Sequence, residues 1–306
     1  MVSGDNRLFQ HESDLVNCSF QGSDIVGESP IWSSEERALY WVDILGQKIH
    51  RFHPEQLKHS SISLDQPVAA IAFTKNGQIL AALRKSLALI DWKKASYTVI
   101  AEFEMDKPNN RFNDGKCDKE GRFWVGTMDS LLWDQPLGSL YRVDSDLSVH
   151  RILTNISCAN GIGWSPDDSV MYFTESFRYA IFAYDYNSKS GSISNGRIFA
   201  EVDRNSGGFP DGLTVDKEGY VWSAHCGLGQ VVRYSPNGKV DLVIKMPVPR
   251  PTSCVFGGNN YNTLYVTSAQ ETLNSQELCQ WPLSGSIFSC NLGITGCVSE
   301  IFKGDF

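Results

Sequence analysis

One phrase of the sequence occurs six times, and it limits the fold of this chain more than any other feature does. In each copy a usually polar residue, which we call step 0, is followed four positions later by an apolar residue. A turn rich in Asp, Asn, Gly or Pro comes next, and then a β-branched or aromatic strand. The repeat period, with spacings of 41, 44, 47, 51 and 41 residues, is typical of β-propeller blades. The six step-0 residues are Glu28, Ala69, Asn113, Asn160, Asp211 and Thr252.

The rest of the sequence supports an all-β architecture. Further short strands follow each copy of the phrase, and no stretch shows a sustained helical period. Strands without alternating helices exclude a parallel α/β sheet. We therefore predict a single domain over residues 1–306, an all-β six-bladed β-propeller, with a two-sheet sandwich as the alternative. We expect the segment around Leu15 to Phe20 to complete the blade formed by Ser286 to Phe302 and so to close the ring.

Charge and hydrophobicity exclude several classes of partner. The chain has 27 Lys and Arg against 35 Asp and Glu, a net charge of −8, without a basic cluster. This argues against nucleic acid and anionic membrane surfaces as partners. No apolar run is long enough to span a membrane, and the first residues lack the pattern of a secretory signal. We expect a cytoplasmic protein that is a monomer or a weak homo-oligomer.

The eight cysteines are scattered along the chain without a Cys-x-x-Cys pair. In a chain with no visible export signal, this distribution predicts reduced, buried thiols. A pair between Cys290 and Cys297 across a hairpin is the alternative.

The step-0 residues predict a polar cluster at one mouth of the propeller channel. The first strand of each blade lines the channel, and step 0 lies near the end of that strand, so these side chains face each other. The carboxylates of Glu28 and Asp211 would meet the carboxamides of Asn113 and Asn160. Two buried carboxylates are costly together unless a cation or a shared proton offsets their repulsion. Oxygen ligands suit calcium, magnesium or manganese, and zinc also accepts carboxylates. The sequence therefore predicts one divalent cation; the alternative is a polar, water-filled mouth.

The phrases themselves resemble a known family. GESPIW, NRFNDGKCDKEGRFWVGTM, ANGIGW, FPDGLTVD and PTSCVFGG with YVTSA occur in order from residue 27 to about residue 270. They are similar to sequences of the gluconolactonase and regucalcin (senescence marker protein) family, which also contains a luciferin-regenerating enzyme. The resemblance implies a six-bladed propeller that binds one divalent cation and hydrolyses sugar lactones.

The resemblance also implies roles for individual residues. Glu28, Asn160 and Asp211 would be the metal ligands, and Asp211 would double as the general base. Arg111 and Asn113 would contact the substrate. For Arg111 the alternative is a surface ion pair, and for Asn113 a residue of the turn that Asn-Asp-Gly usually forms.

Several positions depart from the family pattern or have a second interpretation. Ser29 stands where GEGP is commoner than GESP. After Gly-Thr-Met some relatives carry a substrate-contacting Glu; here Asp129 could take that part, or Trp133 could shape the pocket. Asp114 is interpreted as a cap of the Asn-Asp-Gly turn, and His225 as structural rather than functional.

These observations predict a divalent-metal-dependent hydrolase that opens a sugar lactone to the aldonic acid by attack of water. The sequence leaves open which water attacks. It contains no Gly-x-Ser-x-Gly elbow and no phosphate-binding glycine loop, which disfavours Ser-His-Asp hydrolysis and nucleotide binding. The alternatives are a phosphotriesterase- or arylesterase-like propeller hydrolase and a non-catalytic calcium-binding propeller scaffold.

Overall fold

Six antiparallel sheets of four strands each surround a central channel in the computed structural model, which describes residues 15–304 and residue 306. The innermost strand of each sheet contacts the innermost strands of its two neighbours, and the sixth sheet closes the ring on the first. The predicted all-β six-bladed β-propeller is therefore confirmed.

Strand β1 (Val16–Phe20) precedes the first blade. Blade 1 consists of β2 (Gly27–Ser33), β3 (Ala38–Asp43), β4 (Lys48–His53) and β5 (Lys58–Ser63), and blade 2 of β6 (Val68–Phe73), β7 (Ile79–Leu83), β8 (Ser86–Asp91) and β9 (Ser96–Glu102). Blade 3 consists of β10 (Asn110–Cys117), β11 (Phe123–Asp129), β12 (Gly138–Val143) and β13 (Val149–Ile156), and blade 4 of β14 (Ala159–Trp164), β15 (Val170–Glu175), β16 (Ala180–Asn187) and β17 (Ser192–Glu201). Blade 5 consists of β18 (Phe209–Val215), β19 (Val221–Cys226), β20 (Gln230–Tyr234) and β21 (Val240–Lys245), and blade 6 of β22 (Pro251–Gly257), β23 (Thr263–Ser268), β24 (Ile287–Asn291) and β1.

Helical structure is limited to short segments. A 3₁₀ turn spans Ser176–Arg178, and α1 spans Ser275–Gln280 with Asn274 and Glu277 forming a capping box at its start. Within residues 15–304 and 306, no helix has the length and hydrophobicity needed to cross a bilayer.

The amino-terminal strand β1 completes blade 6. Strand β1 pairs antiparallel with β24, with Val16 opposite Cys290, so the amino-terminal segment supplies the outer strand of the last blade. This pairing covers the edge of β24 and joins the ring without a further connection.

The segment after β24 does not continue the last blade up to Phe302, as the sequence analysis expected. It leaves the sheet after Asn291 and crosses the carboxyl ends of several innermost strands. Its backbone pairs with Val215 of blade 5 through Cys297 and with Phe73 of blade 2 through Phe302. The segment thus runs across the channel mouth opposite to step 0.

Every innermost strand has a register shift at step 0. The shifts lie between Glu28 and Ile31 in blade 1 and between Phe112 and Asp114 in blade 3, and at the equivalent positions of the other four blades. A β-bulge re-aims a side chain and increases the local twist. The repeated phrase therefore encodes a bulge that turns each step-0 side chain toward the axis.

Aspartates fix the tryptophans that pack inside the blades. The indole Nε1 of Trp124 donates to Asp118 at 2.9 Å, and that of Trp222 donates to Asp216 at the same distance. Both tryptophans are fully buried. The shared spacing of Asp and Trp in blades 3 and 5 is therefore structural.

All eight cysteines are free thiols. Five of them are buried and Cys297 is partly buried, but Cys18 and Cys279 are exposed, so the prediction of buried thiols is wrong for these two. Cys290 and Cys297 are not joined.

Candidate active and metal-binding site

The step-0 residues open into a cavity of about 280 Å³ at the amino-terminal ends of the innermost strands. Five of the six step-0 side chains line it, and Ala69 is the exception. The residues two positions earlier, which we call step −2, all line it as well. The step −2 residues are Val26, Pro67, Arg111, Cys158, Phe209 and Arg250.

A second cavity, of about 350 Å³, lies at the opposite mouth. Its walls are mostly apolar, and residues Cys297 to Glu300 of the carboxyl-terminal segment cover part of it. No step-0 side chain lines it. The smaller cavity therefore holds the step-0 groups from which the sequence predicts a site.

Close packing of neighbouring innermost strands keeps the step-0 residues in place. A Cβ on Gly161 would lie 2.7 Å from the carbonyl oxygen of Asp211, and a Cβ on Gly212 would lie 2.1 Å from the Oγ of Ser253. Only glycine permits this approach, so Gly161 lets blade 4 pack against the backbone of Asp211 in blade 5, and Gly212 lets blade 5 pack against Ser253 in blade 6.

Glu28 and Asp211 form a buried pair of acids. Burial, together with the charges of Asp211 and Asp114, raises the pKa of Glu28 well above its usual range. Burial and the charge of Asp114 raise the pKa of Asp211 to about 8, although Arg250 opposes the shift. Without a cation, this site therefore favours protonated carboxyl groups over a pair of carboxylates.

Asp114 is a third buried acid that the sequence analysis misplaced. Asn-Asp-Gly does not form a turn here but lies inside β10 at the bulge, and the Asp114 side chain accepts from the backbone N–H of Gly115 at 2.7 Å. Burial raises the pKa of Asp114 to about 6, against the opposing charge of Lys116. Lys116 donates from Nζ to the carbonyl oxygen of Leu213 at 2.8 Å and lines the cavity at the opposite mouth.

Asn160 presents an acceptor with no partner. Its Nδ2 donates to the Oγ of Ser176 at 3.1 Å, and Ser176 in turn donates to the carbonyl oxygen of Pro210 at 2.8 Å. The Oδ1 of Asn160 is buried and accepts no hydrogen bond from the described residues. A buried orphan acceptor beside two carboxylates fits a hard divalent cation.

Only two of the predicted metal ligands are charged. Within residues 15–304 and 306, no three His, Cys, Asp or Glu side chains are arranged to hold an ion. Glu28 and Asp211 with the amide of Asn160 supply two carboxylates and one neutral oxygen. Such a mixed oxygen set is compatible with calcium or magnesium.

Arg111 and Asn113 are brought together as the sequence analysis expected. Arg111 donates from Nη1 to the Oδ1 of Asn113 at 2.7 Å and to the carbonyl oxygen of Phe112 at 2.8 Å. Asn113 donates from Nδ2 to the carbonyl oxygen of Ala159 at 2.9 Å. Asn113 thus anchors Arg111, whose other guanidinium N–H groups find no acceptor in the described chain.

Asp129 and Trp133 differ in placement. Asp129 is buried and accepts from the backbone N–H groups of Leu131 and Leu132, both at 2.8 Å, and it does not line the cavity. Trp133 lines the cavity and contacts Phe177, with the two ring centroids 6.4 Å apart.

His225 does not reach the cavity. It lies in β19, is buried, and its Nε2 is 3.2 Å from the hydroxyl of Tyr234. Burial lowers the pKa of His225 to about 4. Its placement fits the structural interpretation.

The cavity cysteine is not a nucleophile candidate. Burial raises the pKa of Cys158 to about 12, so its thiol stays protonated near neutral pH. Because the thiolate is the reactive form, covalent chemistry at Cys158 is disfavoured.

Several cavity residues escaped the sequence analysis. They are the cations Arg84 and Arg250, the acid Glu271, and the aromatic residues Phe177 and Phe209. Arg250 and Phe209 occupy step −2, the same step as Arg111, so the period that identified step 0 could have found them.

Comparison with known proteins finds a sequence family that matches most of the chain. The family described as SMP-30/Gluconolactonase/LRE-like region matches residues 26–270. Regucalcin of Xenopus laevis is 36% identical over 295 residues, covering 94% of this chain and 98% of that protein. A 6-deoxy-6-sulfogluconolactonase of Pseudomonas putida is 34% identical over 295 residues, covering 95% of this chain and 100% of that protein. Among solved structures, a calcium-binding protein, regucalcin, of Agrobacterium tumefaciens has a TM-score of 0.89 and 27% identity over 94% of this chain and 96% of that one.

Proposed function

The chain belongs to the SMP-30/gluconolactonase/LRE-like family, and on this premise we propose that it is a divalent-metal-dependent hydrolase that opens a sugar lactone to the aldonic acid. One observation carries the proposal: Asn160, whose buried Oδ1 accepts no hydrogen bond from the described residues, lines the same cavity as the acids Glu28 and Asp211 and the anchored Arg111. The name of the Pseudomonas relative supports a lactone substrate, and the description of the Agrobacterium structure supports calcium.

Glu28, Asn160 and Asp211 would hold the cation. When bound, a divalent ion supplies Lewis-acid polarisation of the lactone carbonyl and lowers the pKa of a coordinated water. Its charge would also favour the ionised forms of Glu28 and Asp211, against the burial and the neighbouring acidic charges that raise their pKa values in the free site. The candidates remain calcium, zinc, manganese and magnesium.

Asp211 would accept the proton of the attacking water. It is buried in the cavity, on the bulge of β18, and general-base assistance typically contributes about 10²–10⁴-fold. Arg111 would direct its free N–H groups to the developing oxyanion or to substrate hydroxyls, with Asn113 holding the guanidinium in position. Trp133 would pack against the sugar ring. Asp129 would support the loop that carries Trp133 through its hydrogen bond to Leu132.

Lactone hydrolysis with and without chelation tests the proposal. We expect the protein to hydrolyse gluconolactone-type substrates, to lose activity in a chelator, and to regain it with at least one of Ca²⁺, Mg²⁺, Mn²⁺ or Zn²⁺. Asp211→Ala should abolish turnover and leave the β-rich circular dichroism spectrum intact. If no cation restores hydrolysis of any aldonolactone, the proposal is wrong. Calcium binding without turnover would then favour a non-catalytic scaffold, and faster hydrolysis of aryl esters or phosphotriesters would favour that alternative.

A further inference from the structure

The guanidinium groups of Arg84 and Arg250 line the cavity and have no acceptor among the described residues. The Nε of Arg250 is buried and makes no hydrogen bond with the described residues. Arg84 is exposed, and its side chain makes no hydrogen bond or ion pair within residues 15–304 and 306. A guanidinium group has five N–H donors whose planar arrangement matches the oxygens of carboxylate, sulfonate and phosphate groups. Two guanidinium groups without an acceptor at one cavity therefore indicate a ligand with an anionic group.

The two arginines lie on the same side of the cavity, and Arg250 also lies near enough to Asp211 for its charge to lower the pKa of that carboxyl group. Arg250 stands at step −2 of blade 6, directly before β22, and Arg84 follows β7 of blade 2. Both therefore flank blade 1 on the outer side of the step-0 ring. Between them blade 1 contributes the apolar residues Val26, Ile44 and Leu45 and, at step 0, the acid Glu28.

The balance of charges in the cavity also favours an anionic ligand. Three guanidinium groups, of Arg84, Arg111 and Arg250, face three carboxyl groups, of Glu28, Asp211 and Glu271. These charges cancel when all six groups are ionised, and a divalent cation then adds two positive charges. A neutral sugar lactone would leave this excess uncompensated, whereas an acidic one offsets part of it.

The opposite side of the cavity is aromatic. The rings of Phe177 and Phe209 are 5.3 Å apart between centroids, and Trp133 lies beside Phe177. These residues come from blades 3, 4 and 5, across the channel from blades 6, 1 and 2. The cavity thus has an apolar wall suited to the face of a sugar ring and a cationic side suited to a charged substituent.

We propose that the substrate is a lactone carrying a second, negatively charged group, held by Arg84 and Arg250 over blade 1 while the ring packs against Trp133, Phe177 and Phe209. The inference rests on the proposed lactonase function and names its substrate class. The recognised chemistry is an oxyanion, whether it belongs to a carboxylate, a sulfonate or a phosphate.

Substrate pairs that differ only in this group test the inference. The rates to compare are kcat/KM for gluconolactone and for glucarolactone, a sulfonated gluconolactone and a phosphorylated gluconolactone. We expect at least one acidic lactone to exceed the neutral one by about tenfold or more. That factor corresponds to a single hydrogen bond between charged groups. The acidic substrate with the highest rate identifies the oxyanion.

Variants then assign the effect to the two arginines. Arg84→Gln and Arg250→Gln should each lower the acidic-to-neutral ratio of kcat/KM by about tenfold. Arg197→Gln removes the same charge from an exposed arginine that pairs with Asp185 on β16, and it should leave the ratio unchanged. An acidic-to-neutral ratio near one in the wild type, or a ratio that neither variant lowers, would overturn the inference while leaving lactonase function intact.

If no lactone is hydrolysed, the proposed function is wrong, but binding measurements still test the inference. Calorimetric titration with glucarate and gluconate, with calcium and with chelator, reports the recognition of the second charge directly. We expect tighter binding of glucarate and loss of that difference in both arginine variants. Equal binding of the two acids would overturn the inference.

Discussion

The side-chain amide of Asn160 is oriented by Ser176, whose Oγ accepts a hydrogen bond from Nδ2 at 3.1 Å and donates one to the carbonyl oxygen of Pro210 at 2.8 Å. Ser176 is fully buried in the 3₁₀ turn that follows β15. This bond fixes the orientation of the amide, whose Oδ1 is buried and accepts no hydrogen bond from the described residues. Ser176 therefore connects the fold of blade 4 to the proposed cation site.

Ser176→Ala should weaken cation binding without removing a ligand. The amide of Asn160 would lose the partner that selects its orientation, and loss of such outer-shell partners typically costs about 10–100-fold in metal affinity. Titration calorimetry with Ca²⁺ or Mn²⁺ measures the change.

Ser139→Ala is the matched control for this experiment. Ser139 is equally buried, but its Oγ has no hydrogen-bond partner in the described structure. Its removal should leave the cation affinity unchanged. Similar affinities for Ser176→Ala and the wild type would show that Ser176 does not orient the ligand.

Ser29 stores backbone strain directly beside Glu28. Its φ is 46°, in the left-handed region that costs a residue with a Cβ roughly 1–2 kcal/mol, and its backbone N–H donates to the Glu28 carboxylate at 2.5 Å. Ser29→Gly should therefore be more stable than Ser29→Ala by about 1–2 kcal/mol. Both changes remove the hydroxyl that accepts from the backbone N–H of Ile71, so urea unfolding of the pair isolates the backbone effect. Equal stability of the two variants would contradict the assignment of strain.

The repeat period predicted most of the site because the fold converts sequence steps into positions around an axis. Glu28, Asn113, Asn160 and Asp211 could be placed together from spacing alone, since the same bulge occurs in each innermost strand. The glycine that is commoner in the family at the position of Ser29 also has a physical reason here, because the backbone has a φ of 46° at that residue.

Predictions from local sequence signals were wrong where strand pairing in the folded protein overrode those signals. Asn113-Asp114-Gly115 has the composition of a turn, yet pairing with Gly126 and Val125 of β11 keeps it in a strand. Ser176 and Arg84 lie outside the repeated phrase, after the second strands of their blades, so the period of step 0 could not indicate them.

A cation should stabilise the protein more at alkaline than at acidic pH. The pKa of Asp211 in the folded, cation-free protein is raised to about 8 and that of Glu28 is raised also, mainly by burial. A raised folded pKa gives a contribution to stability that is present below the unfolded pKa, about 4, and is lost as pH rises toward the folded value. Cation binding requires the ionised carboxylates, so its stabilising effect grows over the same interval.

Thermal unfolding with chelator and with a saturating cation, at about pH 5.5 and about pH 8, measures this difference. We expect the increase in Tm produced by the cation to be larger at the higher pH. In Asp211→Asn, which cannot ionise, the pH dependence of the increase should shrink. An increase of equal size at both pH values would contradict the assignment of Glu28 and Asp211 as ligands.

Asp114 and Lys116 should stabilise one another in a pH-dependent way. They lie two residues apart on β10, on the same side of the strand, and the charge of Lys116 opposes the burial that raises the pKa of Asp114 to about 6. Above that pH Asp114 is ionised and attracts the buried ammonium; below it the attraction disappears because the carboxyl group is neutral.

A double-mutant cycle with Asp114→Asn and Lys116→Met should therefore give a coupling free energy of about 1–3 kcal/mol near pH 8 and close to zero near pH 5. Urea unfolding of the four proteins in chelator measures the coupling free energy. We expect its sign to be favourable, which means that the pair stabilises the fold where both groups are charged. A coupling that is the same at both pH values would place the interaction in packing rather than in charge.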